Sequence, residues 1–319
     1  MKRFHILQRQ IANIFWLLDN YLPKSVFNTF FLNLQSNYNS YLLRYLQKTG
    51  PGKIYPIDEV TEITPRDFFF KYYLRNKPLI IKDATKGWQC SRWTLDTLSE
   101  RFGNDETVIT AHGDMKAQTL STTIEEIRTG SVKNARVANI LQNYPELREE
   151  ADLNFLKKYI PWPSFTTSYQ FFIGGNFNFT PLHAGMTNNF SIQLLGKKRW
   201  RILPTSLNPV VKPIANGGPL LTSELNLSDD AIKNDKIVKY LDLYEANLSD
   251  GDILFNPSFF WHYIDYQSES ITIGLRWLNI YSSLKSSMLM CFLVFGAYNP
   301  SAFKSFATIR KGKSMPFYK

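Results

Sequence analysis

The sequence predicts a mainly β chain with flanking helices, its strands closed into a barrel around a polar hollow. Three stretches carry this reading. From about Ser168 to Trp277 polar and apolar residues alternate in short runs, the period-two pattern of strands. Inside that region Asn189, Ser191 and Gln193 fall on one face and Phe190, Ile192 and Leu194 on the other. A polar row facing inward suits a ligand-holding barrel, whereas a sandwich core would want that row apolar. The first fifty residues instead space large apolar side chains at helical intervals, as in Phe27, Phe30, Phe31, Leu34, Tyr41 and Leu42.

Taken in order, residues 4–18 and roughly 25–48 are expected as helices, ended by Gly50-Pro51-Gly52. Thr64-Pro65 opens a short helix to about Leu74, Pro78 to Ile81 reads as a strand, and Trp93 to Phe102 as another helix. Residues 107–111 read as a strand followed by His112-Gly113-Asp114, a His-x-acid triplet whose spacing can bind metal. The segment is polar and has no second histidine nearby, so it is read as a surface turn. Strands are expected near 168–174, 177–184, 189–194, 198–203, 252–256, 259–265 and 270–277, with Gly196 turning the chain between the third and fourth. The linking segment 205–250 is rich in Pro, Gly, Asn and Asp and is read as mostly loop.

This order divides the chain into a basic helical flank (1–53), a β domain (54–280) and a basic C-terminal extension (281–319). At 319 residues, 44% hydrophobic and 15% aromatic, one large core with appended helices is expected. The net charge of +10 resembles a nucleic-acid signal until it is located. Residues 1–53 hold seven Lys/Arg against one acid and 281–319 hold six against none, which leaves the middle at about −2. A basic groove for nucleic acid should run through the site, so no nucleic-acid partner is expected. The basic ends leave open contact with a membrane surface or an acidic partner, and the helical flanks leave open a homodimer. The two cysteines, Cys90 and Cys291, are far apart and lack a partner motif, which argues against a disulfide framework and for a reducing, cytoplasmic setting. The N-terminal apolar stretch is interrupted by Gln8, Arg9, Gln10 and Asn13, and the run from Met288 to Tyr298 is about half a membrane span, so a soluble chain is expected.

The chemistry concentrates in TPLHAGMTNNFSIQLLGKKRWRILP, Thr180 to Pro204. Here Lys197, Arg199 and Arg201 share one strand face and Lys198, Trp200 and Ile202 the other. The triple-cation face is expected to be the wet one, which buries Lys198 beside a tryptophan. A lone buried ammonium is costly unless an anion meets it, and a bound carboxylate is the economical partner. His183 lies at the mouth of the polar row. His262, within FFWHYID, follows 79 residues later, and two neighbouring strands would bring the pair together as a transition-metal site. On the last strand Ile271, Ile273, Leu275 and Trp277 share one face, so Arg276 points into the hollow as a second cation.

These residues, with the YLRNKPLIIKDATKGW segment ahead of them, resemble the JmjC-like, cupin-like family of Fe(II)/2-oxoglutarate oxygenases, in the branch of the asparaginyl hydroxylases. The likeness runs from about Tyr55 to Trp277. It implies a double-stranded β-helix, a jelly-roll barrel, using Fe(II), 2-oxoglutarate and O2. It further implies His183 and His262 as iron ligands, Thr180 and Lys198 as holders of the far carboxylate of 2-oxoglutarate, and Asn189 as a contact near the metal. Arg276 stands where close relatives have an asparagine.

The chain departs from the family at Gly185, where relatives place the acid of a His-x-Asp motif, and no Asp or Glu occurs between Leu182 and Thr222. The resemblance to Fe(II)/2-oxoglutarate halogenases, which show the same exchange, implies a halide (chloride or bromide) at the opened iron position. Decarboxylation of 2-oxoglutarate with O2 would then end in transfer of chlorine, and not hydroxyl, to a carbon. Water at that position would give a hydroxylase, and an empty one a non-catalytic binding module. Because the inward lysine, threonine and asparagine persist with both histidines, the halogenase is the leading expectation. Gln170, Asn188, Gln193 and Trp261 are the candidates for lining a substrate pocket, with Phe172 read as core. A small molecule and a peptide side chain both remain compatible as substrate.

Overall fold

The computed structural model describes residues 4–297 apart from 22–28, 112–113, 133, 139, 165, 177 and 216–219. The His112-Gly113 part of the His-x-acid triplet therefore lies outside the described residues. Eight strands form the body: Thr166–Gly174 (β1), Asn178–Gly185 (β2), Asn188–Leu195 (β3), Lys198–Leu203 (β4), Leu243–Leu248 (β5), Ile253–Asn256 (β6), Trp261–Tyr266 (β7) and Ser270–Leu278 (β8). They pair antiparallel in two facing sets of four, β5-β4-β7-β2 and β6-β3-β8-β1, each lengthened at its edges by shorter strands. This is the jelly-roll, double-stranded β-helix expected from the sequence.

Alternation decides which residues fill the space between the sheets. Trp200, Ile202, Ala246, Leu248, Leu254, Ile264 and Tyr266 pack there in one cluster. Phe190, Ile192, Leu194, Ile271, Ile273, Leu275 and Trp277 point the other way, into a larger core roofed by the helices of residues 65–157. The polar row Asn189, Ser191, Gln193 is thus turned toward the hollow and buried, as its pattern requires. Gly196 turns the chain at φ +81°, where an added Cβ would lie 1.8 Å from the Glu269 carbonyl oxygen.

Two expectations are corrected. The strand β5 lies inside the segment read as mostly loop. Tyr244, Ala246 and Leu248 do alternate with Glu245 and Asn247, but the run is short and sits in a segment dominated by turn residues, so it reads with the loop. Arg201, assigned to a wet face with Lys197 and Arg199, is only 1% exposed. It is covered by the 227–235 segment and held by the Leu227 carbonyl, Asp229, Glu245 at 3.3 Å and Asp265 at 3.4 Å. Three acids neutralise it, so its burial is tolerable where an unpaired cation's would not be.

The outer face of the β5-β4-β7-β2 sheet is covered by terminal helices, Ile6–Tyr21 (α1), Thr29–Lys48 (α2) and Ile280–Ala297 (α3). Phe4, Leu42, Leu46, Met290, Cys291 and Val294 are buried there against Leu203, Leu207 and Trp261. Both cysteines are buried and unpaired, and burial pushes each thiol up to about 12, so neither is poised to react. Among the described residues no helix is long and apolar enough to cross a membrane.

Candidate active site

His183 and His262 are direct partners across the antiparallel β2/β7 pair, with ring centroids 4.1 Å apart and planes inclined by 59°. Local irregularity makes this possible. Between Thr180 and His183 two residues, Pro181 and Leu182, stand opposite the single residue Tyr263, a β-bulge at a proline that has no N–H to give the ladder. In a regular strand residues three apart point to opposite faces. The extra residue brings Thr180 and His183 to the same side, while Leu182 and Ala184 turn outward into the helix-covered core.

Each imidazole is fixed by the carbonyl two residues before it. His183 Nδ1 lies 2.8 Å from the Pro181 oxygen and His262 Nδ1 3.0 Å from the Phe260 oxygen. A carbonyl only accepts, so both Nδ1 atoms carry the proton and both Nε2 atoms offer a lone pair, the tautomer that metal ligands need. Asn256 Nδ2 lies 3.2 Å from His262 Nδ1, and exchanging the amide's nitrogen and oxygen would make it a second acceptor and give the buried Oδ1 a partner. Burial pushes His183 down to about 4, with the charge of Arg276 adding to it. His262 is lowered by burial, then by His183 and Arg276. Both rings are neutral at pH 7.

Lys198 lies deeper on the same inward row, 2% exposed, and among the described residues it forms no ion pair. Its Nζ donates to Thr272 Oγ1 at 2.5 Å and lies 4.3 Å from the centre of the Tyr266 ring. Burial pushes its ammonium down to about 7. Thr272 in turn donates to Gln193 Oε1 at 3.0 Å, and the Thr180 hydroxyl reaches the Tyr266 oxygen at 3.4 Å. Between Lys198 and the histidines stands Trp200, stacked on His262 at 5.3 Å and 24°, its buried indole N–H without a hydrogen-bond partner. The hollow therefore has a cation and two hydroxyls at its floor, an aromatic wall, and two neutral imidazoles above.

At the upper end Asn189 pairs in register with both Asn256 and Arg276. The Asn189 side-chain oxygen is buried and unpartnered. Gly274 leaves room for it, since a Cβ there would lie 3.4 Å from that oxygen. Arg276 is half-buried, 6.0 Å from the Phe172 ring centre, and Gln170 flanks the same spot. Phe172 accordingly faces the hollow and not the outer core. At Gly185, among the described residues, an added Cβ would meet the Leu220 Cδ2 methyl, at 3.2 Å. Among the described residues no cluster of three or more His, Cys, Asp or Glu stands ready for a metal. The donor set among the described residues is thus two imidazoles, with Gly185 supplying no side-chain ligand.

The hollow gathers His183, His262, Gly185, Thr180, Lys198, Asn189 and Arg276, with Gln170 at its rim. Two pocket candidates, Asn188 and Trp261, lie elsewhere in the packing, and a third, Gln193, is inward but already bonded. Asn188 is wholly buried on the opposite face of β3, donating to Ser282 Oγ and accepting from the Ser258 N–H. Trp261 points away from the hollow and donates to Asn208 Oδ1 at 2.7 Å. Both are corrections that follow from parity, since each neighbours an inward residue and must face outward. Gln193 faces inward, but its amide is spent on Thr272 and on the carbonyls of Leu195 and Gly196. Tyr266, Thr272, Asn256 and Trp200 were not singled out as site residues. Tyr266 was legible in principle, lying four residues after His262 on one strand face, whereas Asn256 and Thr272 depend on cross-strand register.

Residues 65–282 match the cupin-like domain family. Over 242 residues the chain is 25% identical to the lysine-specific demethylase JMJ30 of Arabidopsis thaliana, covering 70% of this chain and 55% of that protein. It is 23% identical over 268 residues to the arginine-specific demethylase JMJ20 of the same plant, covering 69% and 56%. It is 24% identical over 281 residues to the 2-oxoglutarate and iron-dependent oxygenase JMJD4 of Gallus gallus, covering 76% and 64%. The chain spans little more than half the length of the two demethylases. With a paired-histidine hollow inside a jelly roll and a family match over most of its length, this chain belongs to the cupin-like (JmjC-like) domain family.

Proposed function

We propose that the protein is an Fe(II)- and 2-oxoglutarate-dependent oxygenase whose iron is held by His183 and His262, with a halide at the position that Gly185 opens. The observation that carries the cosubstrate is Lys198, a buried cation without an acid partner, on the inward row that leads to the two lone pairs. Such a centre supplies oxidation of an unactivated C–H bond coupled to decarboxylation of 2-oxoglutarate. The names of the relatives, two demethylases and an iron- and 2-oxoglutarate-dependent oxygenase, support the general chemistry.

The residues divide the work by position. Lys198, Thr180 and Tyr266 receive the far carboxylate, replacing water with a charge-assisted contact and two hydroxyls. Trp200 and Ile264 wall the carbon chain and keep it dry. Asn189 offers its orphaned amide to the cosubstrate end nearest the histidines. The Pro181 and Phe260 carbonyls hold the imidazoles against rotation.

The halide reading rests on charge and space. Without the customary acid the site carries one negative charge fewer, and Arg276 adds a positive charge close enough to depress both histidines. An anion from solution is favoured at such a spot, where Gly185 places no side chain and the Leu220 methyl at 3.2 Å from its Cβ position is the group that would have to give way. A hydroxylase with water at the same position is the second reading, and the relatives' names favour it. Turnover with chloride and with fluoride as sole halide separates the two. Chlorinated product supports the first, and hydroxylated product in both salts supports the second.

A further inference from the structure

Both ends of the chain are basic in sequence. Residues 1–53 carry a net +6 and residues 281–319 another +6, and α1 packs beside α3 on the same side of the barrel. Each terminal helix buries one face in the core and leaves large apolar side chains on the other. Leu7 and Ile14 on α1, two turns apart, are 71% and 57% exposed. Phe30 and Leu34 on α2, one turn apart, are 74% and 48% exposed, with Arg44 and Lys48 exposed further along. Tyr281, Leu284 and Met288 on α3 are exposed as well. Most of the large apolar side chains exposed among the described residues sit on these three helices and not on the barrel. Exposed apolar side chains concentrated on helices drawn from the two basic ends of the sequence mark a contact face.

Charge selects the occupant. Two copies meeting through this face would bring two strongly cationic ends together, whereas an anionic lipid surface would neutralise them while the apolar side chains enter the headgroup boundary. We infer that the helical end of this protein docks on anionic membrane surfaces, lying on the bilayer without crossing it.

The test is co-sedimentation of the full-length chain with phosphatidylcholine vesicles, with and without about one third phosphatidylserine. The chain is expected to bind the anionic vesicles at least about tenfold more tightly than the neutral ones, and to be released as salt rises. The triple substitution Tyr281→Asp, Leu284→Asp, Met288→Asp should lower that binding by about tenfold or more. Its circular dichroism and melting temperature should not change, because these side chains are exposed. Absence of sedimentation with anionic vesicles overturns the inference, as does equal binding by the triple variant. A concentration-dependent dimer in sedimentation equilibrium that the triple variant dissociates would also overturn it, giving the face to a second copy.

Discussion

Lys198 is the residue on which the cosubstrate reading turns, and its energetics are testable without turnover. In the ligand-free protein burial holds its ammonium at about 7 against an ordinary value of 10.5. Between those values the unfolded chain binds a proton that the folded one lacks, so stability rises with pH from about 7 to about 10.5 and the full penalty stands below 7. Lys198→Met should therefore raise the melting temperature of the ligand-free protein at neutral pH and flatten that pH dependence. The same variant should weaken 2-oxoglutarate binding about a hundredfold in calorimetry. A variant that melts lower and binds as before would place Lys198 in the fold alone. Gly185→Asp makes the complementary test. The new Cβ displaces only a flexible methyl at 3.2 Å and adds a third ligand, so Fe(II) affinity should rise by about tenfold or more by competition with a chromophoric chelator. Unchanged affinity would show that Gly185 does not face the metal. The burial of Lys198 was legible in the sequence because Lys198, Trp200 and Ile202 share one parity. Arg201 was misread because its neutralising acids, Asp229, Glu245 and Asp265, arrive from three separate segments.

At the scale of elements the decisive feature is the bulge in β2. Pro181 and Leu182 together oppose Tyr263, and this extra residue lets Thr180 and His183 enter one hollow. Deleting Pro181 should restore a regular register and turn one of the two outward, abolishing either metal or cosubstrate binding while circular dichroism stays native. Retention of both would contradict the register argument. The 227–235 segment is a second such element, clamped to the sheet through Arg201. Arg201→Ala leaves Glu245 without its cation, while Asp265 keeps Arg199 at 3.0 Å, and should lower the unfolding free energy by about 3 kcal/mol in denaturant titration. Strand periodicity made β1 to β4 and β6 to β8 readable. β5 was hidden because its short alternation, Tyr244, Ala246 and Leu248 against Glu245 and Asn247, sits inside a long segment of turn residues. The bulge was hidden too, since a proline in a strand signals irregularity but not which way the parity shifts.

For the whole molecule, the two sheets gather two imidazoles and a buried lysine in one hollow, the arrangement on which the proposed iron and 2-oxoglutarate site rests. Fold class was legible because it rests on alternation, a local property, whereas the pairing of His183 with His262 was expected only from neighbouring strands, its register depending on the bulge. The floor built from Thr272 and Tyr266, and the outward turn of Asn188 and Trp261, rest on register between strands distant in sequence. The most direct measurement is an anaerobic absorbance titration of the full-length protein with Fe(II), then 2-oxoglutarate, then chloride. A visible charge-transfer band should appear only when metal and cosubstrate are both present, shift on adding chloride, and be absent in His183→Ala and Lys198→Ala. A protein that shows no band with both present, while Gly185→Asp shows one, would contradict the two-histidine site. A band indifferent to chloride would leave iron and 2-oxoglutarate in place and remove the halide.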